Sequence, residues 1–243
     1  MRMNPVAARI AAIAALSMTA LGAHASANLL TNGNFETGNY TGWSVNTQSG
    51  SNGSLQVVAN NGGNSPISGF AYASNANGGN WFSITDQSGP GSYSLTQSFT
   101  LATASTVTIS FDLFANNQSG VDINNGRDYT AGGDQNAEVD LLLGGANAFT
   151  NASADIVSTL YGPGSNTVGN PSPWSSFSST LALAAGTYQL RFAETDNQSF
   201  FQEGVDNVSV TTAAVPEPGS MALMLAGLGA VATIARRKQR ASR

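Results

Sequence analysis

Val107-Thr-Ile-Ser-Phe-Asp-Leu113 is the stretch in which apolar and polar side chains alternate most regularly. Alternation with a period of two is the pattern of a β-strand that buries one face. We therefore expect a strand here, with one apolar face and one polar face. The apolar face is predicted to carry Val107, Ile109, Phe111 and Leu113, and the polar face Thr108, Ser110 and Asp112.

Similar stretches recur through residues 28–214, separated by turn-forming pairs such as Asn-Gly and Gly-Gly. They are Tyr93–Leu101, Glu138–Leu143, Tyr188–Phe192 and Val205–Val210. No part of this region has the long apolar stripe of an amphipathic helix, so the pattern favours an all-β fold, an antiparallel β-sandwich. Two polar stretches rich in Gly and Asn, Ser51–Gly79 and Asn116–Asn136, are predicted to be long loops.

The first 27 residues have the pattern of a secretory signal peptide, with a short helix in its apolar part. Arg2 and Arg9 precede the short apolar run Ile10–Leu21, and small residues at Ala23, Ala25 and Ala27 fit a cleavage site. Cleavage after Ala25 and cleavage after Ala27 both fit. The alternative is a permanent membrane anchor, which would need about 20 apolar residues.

Residues 215–243 combine a Pro-Glu-Pro sequence, an apolar segment at 221–235 that is predicted to be a single helix, and a basic end. The residues that define the pattern are Pro216, Glu217, Pro218, Arg236, Arg237 and Lys238. At ~1.5 Å per residue the apolar segment spans about 22 Å, and long arginine side chains can extend it toward a hydrocarbon core of ~30 Å. The basic end is expected in the cytoplasm. From the residues alone, a simple tail anchor is the alternative.

This order of features resembles the PEP-CTERM sorting signal of Gram-negative bacteria. The resemblance implies that an exosortase-type membrane protease recognises the tail and removes it. Residues 28–214 would then be delivered to the cell envelope or to an exopolysaccharide matrix, after a transient stage at the inner membrane.

Charge and composition exclude several kinds of function. Residues 28–214 contain thirteen acidic residues against two basic ones, Arg127 and Arg191. We therefore expect no nucleic-acid partner and a preference for hard divalent cations.

The chain has no Cys, and its single His, His24, lies in the signal segment, which excludes His- and Cys-dependent nucleophiles and zinc sites in the body. A carboxylate pair, as in glycoside hydrolysis, is the remaining enzyme chemistry. Its candidates are Glu138, Asp140, Glu194, Asp196 and Glu203.

The two ends of the body carry a more specific pattern. It opens with Asn28-Leu-Leu-Thr-Asn-Gly-Asn-Phe-Glu-Thr-Gly38 and Gly42-Trp43, and it closes with Gly204-Val-Asp-Asn-Val-Ser-Val210. This set resembles the galactose-binding-domain-like jelly rolls, the fold of many carbohydrate-binding modules. The resemblance implies a two-sheet jelly roll whose first and last segments lie side by side, and a structural calcium at that place.

Glu36 and Asp206 are the candidate calcium ligands. Asp206 alternates in step with Val208 and Val210, so its side chain is expected on the same apolar face of the strand. A carboxylate on an apolar face needs a compensating charge. Glu36 lies between glycines whose neighbouring carbonyl oxygens could complete a Ca²⁺ site. Asn207 stands where the family often has a second acid. The alternative is that both carboxylates are simply solvated.

Loop aromatic residues are the candidates for sugar binding, because sugars stack their C–H faces on aromatic rings. They are Trp81, Trp174, Tyr72, Tyr161 and Phe201, with Tyr129 and Phe200 as further candidates, whereas Trp43 is expected in the core. The alternative is that these rings cap the core. The resulting expectation is an exported, non-catalytic surface protein with polysaccharide as its ligand. The alternatives are a carboxylate-pair glycoside hydrolase or lyase, and a purely structural matrix or adhesion protein.

Overall fold

The computed structural model describes residues 27–119, 121–162, 173–213 and residue 227. These residues contain ten strands: β1 (Ser44–Thr47), β2 (Gly53–Ala59), β3 (Trp81–Gln87), β4 (Gly91–Leu101), β5 (Ser105–Asn117), β6 (Gln135–Leu143), β7 (Ile156–Tyr161), β8 (Ser175–Leu183), β9 (Gly186–Asp196) and β10 (Phe201–Thr212). The first sheet has the order β1-β4-β9-β6-β7 and the second sheet β2-β3-β10-β5-β8. All neighbouring strands pair antiparallel. The predicted jelly-roll sandwich is therefore confirmed.

The core lies between the two sheets, as the alternating pattern predicts. All five predicted strands lie within observed strands, and the four apolar side chains predicted for the buried face of β5 are at most 2% exposed. Phe111 of the second sheet meets Phe192 of the first edge to face, with 5.4 Å between the ring centroids. Trp43 is buried in the same cluster, as expected. A smaller apolar cluster on the outer side of the second sheet joins Tyr72, Phe82 and Phe114 to Val58 and Ile84.

The sequence pattern misses five strands. β2 lies inside the stretch 51–79 that was expected to be a loop, and β1, β3, β7 and β8 were not predicted. β8 is rich in serine, and the side chains of both β7 and β8 are mostly half-buried or exposed, so neither strand has a clear apolar face. Between Asn117 and Gln135 the described residues form a loop with one isolated bridge, Ile123–Gln135, which agrees with the prediction for that stretch.

The opening segment lies directly against β10, which confirms that the two ends of the body are neighbours. Leu29 N–H donates to the Val210 carbonyl oxygen at 2.8 Å, and Val208 N–H donates to the Gly33 carbonyl oxygen at 2.8 Å. A Cβ at Gly33 would collide with the Val208 carbonyl, so only glycine allows this close approach. Residues 27–212 form one compact unit.

The predicted signal segment (1–27) and sorting tail (215–243) lie, apart from Ala27 and Gly227, outside the described residues. Their predicted helices and cleavage sites therefore stay predictions. Among the residues that the structure describes, no helix is long and apolar enough to cross a bilayer.

Candidate functional site

One end of the sandwich interior is acidic. On β9, Glu194 and Asp196 continue the alternation of the buried Phe192, so their side chains point between the sheets. On β10, Glu203 lies between the core residues Phe201 and Val205 and also points inward. The three carboxyl groups are 0%, 2% and 2% exposed. We call them the buried acid cluster.

Burial raises the pKa of every carboxyl in this cluster. Burial, together with the neighbouring charges of Asp196 and Glu203, holds the pKa of Glu194 well above its ordinary value. Burial raises the pKa of Asp196 to about 8 and that of Glu203 to about 8. Gln87 and the backbone N–H of Glu203 offset part of the rise at Glu194 without forming a well-aligned hydrogen bond to it. The cluster therefore keeps its protons at neutral pH.

Several polar atoms around this cluster are buried without a hydrogen-bond partner. They are both Oε atoms of Glu194, Oδ1 of Asp196, Oε1 of Glu203, Oε1 of Gln87 and the hydroxyl of Tyr93. A buried polar atom without a partner costs about 1–3 kcal/mol, so such a concentration needs a reason. A ligand that reaches some of these atoms would supply one.

A cavity of about 500 Å³ opens beside the buried acid cluster. Three connections form its walls: the one between β2 and β3, the β3–β4 turn and the β9–β10 turn. The lining residues that matter here are Ser68, Phe70, Gln87, Asp196, Asn197, Gln198 and Phe200. Phe70 and Phe200 are half-buried and stacked, with 3.8 Å between their ring centroids and 18° between their planes. Its volume is within the ~300–1,000 Å³ range of small-molecule sites.

Buried polar side chains hold the cavity walls in place. The Asp86 carboxylate accepts hydrogen bonds from the backbone N–H groups of Ile67 (2.5 Å) and Ser68 (3.1 Å). Gln135 donates to the carbonyl oxygen of Ser199 and accepts from its N–H, at 3.2 and 3.1 Å. The β2–β3 connection and the β9–β10 turn are therefore held in position in the absence of a ligand.

The other predicted carboxylate pair, Glu138 and Asp140, lies on the outer face of the first sheet and is paired with arginine. Arg191 reaches Asp140 at 2.5 Å, and Arg127, from the loop between β5 and β6, reaches Glu138 at 2.5 Å. Arg191 also donates to the Thr150 carbonyl oxygen at 2.7 Å. The two arginines of the body are thus committed to these acids.

The structure brings the two predicted calcium ligands to the same place. A Cβ at Gly78 would collide with Oδ2 of Asp206, and a Cβ at Gly79 would collide with the Glu36 carboxylate, so both acids flank one glycine pair. Glu36 accepts hydrogen bonds from the N–H groups of Asn80 (2.7 Å) and Trp81 (3.0 Å). Against the effect of desolvation, these bonds and one from the Asn80 side chain lower its pKa.

Asp206 reaches this place by a route that the strand parity did not predict. A bulge between Asp206 and Ser209, with Asn207 at φ 51°, lets Val205 and Val208 both enter the core while Asp206 turns to the outer face. The parity argument was therefore wrong, although the residue was placed near Glu36. Burial raises the pKa of Asp206 to about 6, and the charges of Asp112 and Glu36 contribute.

Asp112 and Asn75 also belong to this group, and sequence reasoning missed them. Asp112 lies directly opposite Asp206 in the β5–β10 ladder. Asn75 Nδ2 donates to both carboxylates, at 3.0 Å to Asp112 and 3.1 Å to Asp206. The adjacency of Asp112 to Asp206 follows from strand pairing, which the one-dimensional sequence does not show. In the described part of the chain, no group of three or more Asp, Glu, His or Cys side chains is arranged to hold a metal ion.

The predicted aromatic surface is mostly buried. Tyr72 and Tyr161 are 6% exposed and Phe201 is fully buried, so these rings fill the two apolar clusters and their prediction as ligand contacts is corrected. Trp174 is half-buried, packs edge to face on Phe82 and donates its indole N–H to the Ala73 carbonyl oxygen at 2.8 Å. Trp81 is 38% exposed. Phe70 was missed because it follows a polar, glycine-rich stretch without strand periodicity.

The fold and the tail together define an antiparallel jelly-roll body followed by a sorting segment. Residues 214–240 match the family described as the PEP-CTERM protein-sorting motif, so the chain carries the predicted signal, which implies export and sorting to the cell surface. No curated protein sequence matches the chain.

Solved structures share the fold of the body. A cyclase from Fischerella sp. TAU in complex with 4-(1H-indol-3-yl)butan-2-one is 15% identical, with a TM-score of 0.51 over 79% of this chain and 100% of that chain. A Family 16 Carbohydrate Binding Module-2 is 16% identical, with a TM-score of 0.45 over 76% and 99%. The enzymatically active domain of bacteriophage CBA120 tailspike protein 4 is 10% identical, with a TM-score of 0.49; 76% of this chain matches 21% of that one. At these identities the likeness extends to the fold alone.

Proposed function

We propose that this protein is an exported, non-catalytic surface protein that binds carbohydrate in the cavity beside the buried acid cluster. The sorting motif supports export to the surface. We further propose that an exosortase-type protease removes the tail of a transiently membrane-anchored precursor in a Gram-negative cell. The released body would then meet extracellular polysaccharide as its natural ligand.

The composition of the cavity is the observation that carries the carbohydrate proposal. A sugar presents apolar C–H faces and a ring of hydroxyl groups, so it needs an aromatic face together with polar groups that both donate and accept. The stacked pair Phe70 and Phe200 supplies the aromatic face, and the amide oxygen of Gln87 and the side-chain amide of Gln198 supply the polar groups. The exposed Trp81, one of the predicted aromatic candidates, does not line this cavity.

The arrangement of the acids supports binding without hydrolysis. Glycoside hydrolysis needs two carboxyl groups, about 5–10 Å apart, that flank the scissile bond. Among the residues that line the cavity, Asp196 is the single acid, whereas Glu194 and Glu203 lie behind it inside the sandwich. Glu138 and Asp140 are neutralised by Arg127 and Arg191.

We also propose a structural calcium at Glu36 and Asp206. The donor set fits a hard cation, because two carboxylates from distant parts of the chain pack against one glycine pair, and carboxylate oxygens are ligands that Ca²⁺ prefers. Neutral Asn207 in place of a second acid lowers the charge of the site. Bound there, the ion would hold the opening segment against β10 and the β2–β3 connection.

A glycan array with the purified full-length protein in detergent tests the carbohydrate proposal. We expect binding to a subset of glycans, lost in Phe70→Ala and Phe200→Ala and retained in the matched control Trp81→Ala. Circular dichroism must show that each variant is folded. Absence of binding to every glycan would favour a purely structural matrix protein, and turnover of a bound glycan would favour the hydrolase alternative; either result overturns the proposal.

A further inference from the structure

One residue of the buried acid cluster belongs to the cavity wall. Asp196 lines the cavity, is 2% exposed, and its Oδ1 has no hydrogen-bond partner. No basic residue lines the cavity, and the two arginines in the described part of the body are held by Glu138 and Asp140 on the outer face of the first sheet. The carboxyl of Asp196 thus has no positive partner in the described protein.

The aromatic pair beside Asp196 favours the same type of ligand. The face of an aromatic ring carries partial negative charge and attracts a cation within about 6 Å of the ring centre. The stacked rings of Phe70 and Phe200 therefore add to the attraction that a carboxyl group exerts on a positive donor. Burial keeps the carboxyl of Asp196 protonated in the free protein, and a ligand ammonium group beside it would favour the ionised form. A neutral sugar would leave the Asp196 oxygen without a charged donor.

A bare metal ion fits the cavity less well than an organic cation. Only one acid lines the cavity, and no group of three metal-binding side chains exists among the described residues. A hard divalent cation needs six or more oxygen ligands. A primary ammonium group needs only three acceptors, which Asp196, Gln87 Oε1 and a hydroxyl or carbonyl can supply.

We infer that the cavity selects a sugar that carries a free ammonium group, with the ammonium group on Asp196 and a C–H face of the sugar ring on the pair Phe70 and Phe200. This inference rests on the proposed carbohydrate binding and names the class of sugar. The acceptor is the otherwise unpartnered Oδ1 of Asp196, and the neighbouring amides bind the ring hydroxyls.

Titration of the purified full-length protein with three oligosaccharides of equal length tests the inference. They are β-1,4-linked oligomers of glucosamine, of N-acetylglucosamine and of glucose. We expect the glucosamine oligomer to bind at least about tenfold more tightly than either neutral oligomer, as one charge-assisted hydrogen bond would give. Asp196→Asn should remove this preference and keep the weaker binding of the neutral oligomers, whereas the control Asp155→Asn should leave all three affinities unchanged.

The remaining outcomes separate this inference from the proposed function. Equal binding of the three oligomers, or a preference for glucosamine that survives Asp196→Asn, overturns the inference and leaves carbohydrate binding intact. Absence of binding to every oligomer and every array glycan overturns both. Should Asp196→Asn fail to fold, Phe70→Leu provides the second measurement, because it removes a ring and keeps the carboxyl. It should weaken all three oligomers, and an unchanged affinity for glucosamine would also overturn the inference.

Discussion

Replacing Glu203 by glutamine should make the protein more stable at pH 8 and leave its stability at pH 4.5 almost unchanged. Burial raises the pKa of Glu203 from its ordinary value of 4.5 to about 8, with a partial offset from Arg127. The folded protein therefore keeps a proton that the unfolded chain releases above pH 4.5. The free energy of unfolding contributed by this group is highest below pH 4.5, falls as the pH rises toward 8, and is level above that.

The size of the effect follows from the difference between the pKa values of Glu203 in the unfolded and folded protein. At 1.36 kcal/mol for each pH unit, the range from 4.5 to about 8 corresponds to an upper limit of about 5 kcal/mol. Glu194 and Asp196 face Glu203 and share the titration, so we expect a gain of about 2–5 kcal/mol for Glu203→Gln at pH 8. At pH 4.5 the glutamine resembles the protonated acid, and the two proteins should agree within about 1 kcal/mol.

Urea unfolding of the full-length protein at pH 4.5, 6 and 8, followed by tryptophan fluorescence, measures this difference. Asp128→Asn is the matched control, because hydrogen bonds from Thr130 and Gln48 lower the pKa of this exposed acid, and its contribution is lost as the pH falls. At pH 8 the control Asp128→Asn should therefore lower the stability of the protein, whereas Glu203→Gln should raise it. A wild-type protein that is as stable at pH 8 as at pH 4.5, together with no gain from Glu203→Gln, would refute the reasoning and show that the cluster is ionised against a bound cation.

Three further predictions concern stability elsewhere in the body. EDTA should lower the unfolding midpoint of the wild-type protein by several degrees, and Asp206→Asn should remove that sensitivity; an unchanged midpoint in EDTA would count against the calcium proposal. Gly33→Ala should destabilise the body by about 1–3 kcal/mol in urea, because its Cβ would collide with the backbone of β10, whereas Gly132→Ala, with ordinary contacts only, should have little effect. Asp140→Asn should cost about 3–5 kcal/mol in the same assay, because it removes the closer of the two carboxylates that pair with the buried Arg191; a loss below about 1 kcal/mol would contradict this role.

The central strands of the fold could be predicted from the sequence because each buries one apolar face. β5 is the clearest case, with Val107, Ile109, Phe111 and Leu113 all buried. β8 could not be predicted, because it lies beside β5 at the end of the second sheet and most of its side chains stay half-buried or exposed. Its hydrogen bonds to β5 depend on a pairing partner that is distant in sequence.

The site was less predictable than the fold. Glu36 and Asp206 were identified through the pattern of the chain ends, but the bulge at Asn207 reversed the face expected for Asp206. Glu194 and Asp196 could be placed on one strand face but not on the interior face, since an interior position is costly for an acid. The stacking of Phe70 on Phe200 depends on two connections that meet only in the folded protein.

The acids of the body are stabilised in three different ways, and the contrast indicates where a ligand is needed. Glu138 and Asp140 have arginine partners, and Glu36 and Asp206 accept hydrogen bonds from amide groups. The buried acid cluster has no arginine in direct contact among the described residues and only a few amide contacts, so its members keep protons and several of its oxygens have no donor. Because folded proteins are in general only marginally stable, several unpartnered buried oxygens at one place indicate that selection for another property maintains them. Because one of these oxygens belongs to the acid that lines the cavity, the most direct explanation is a ligand that brings its own donor.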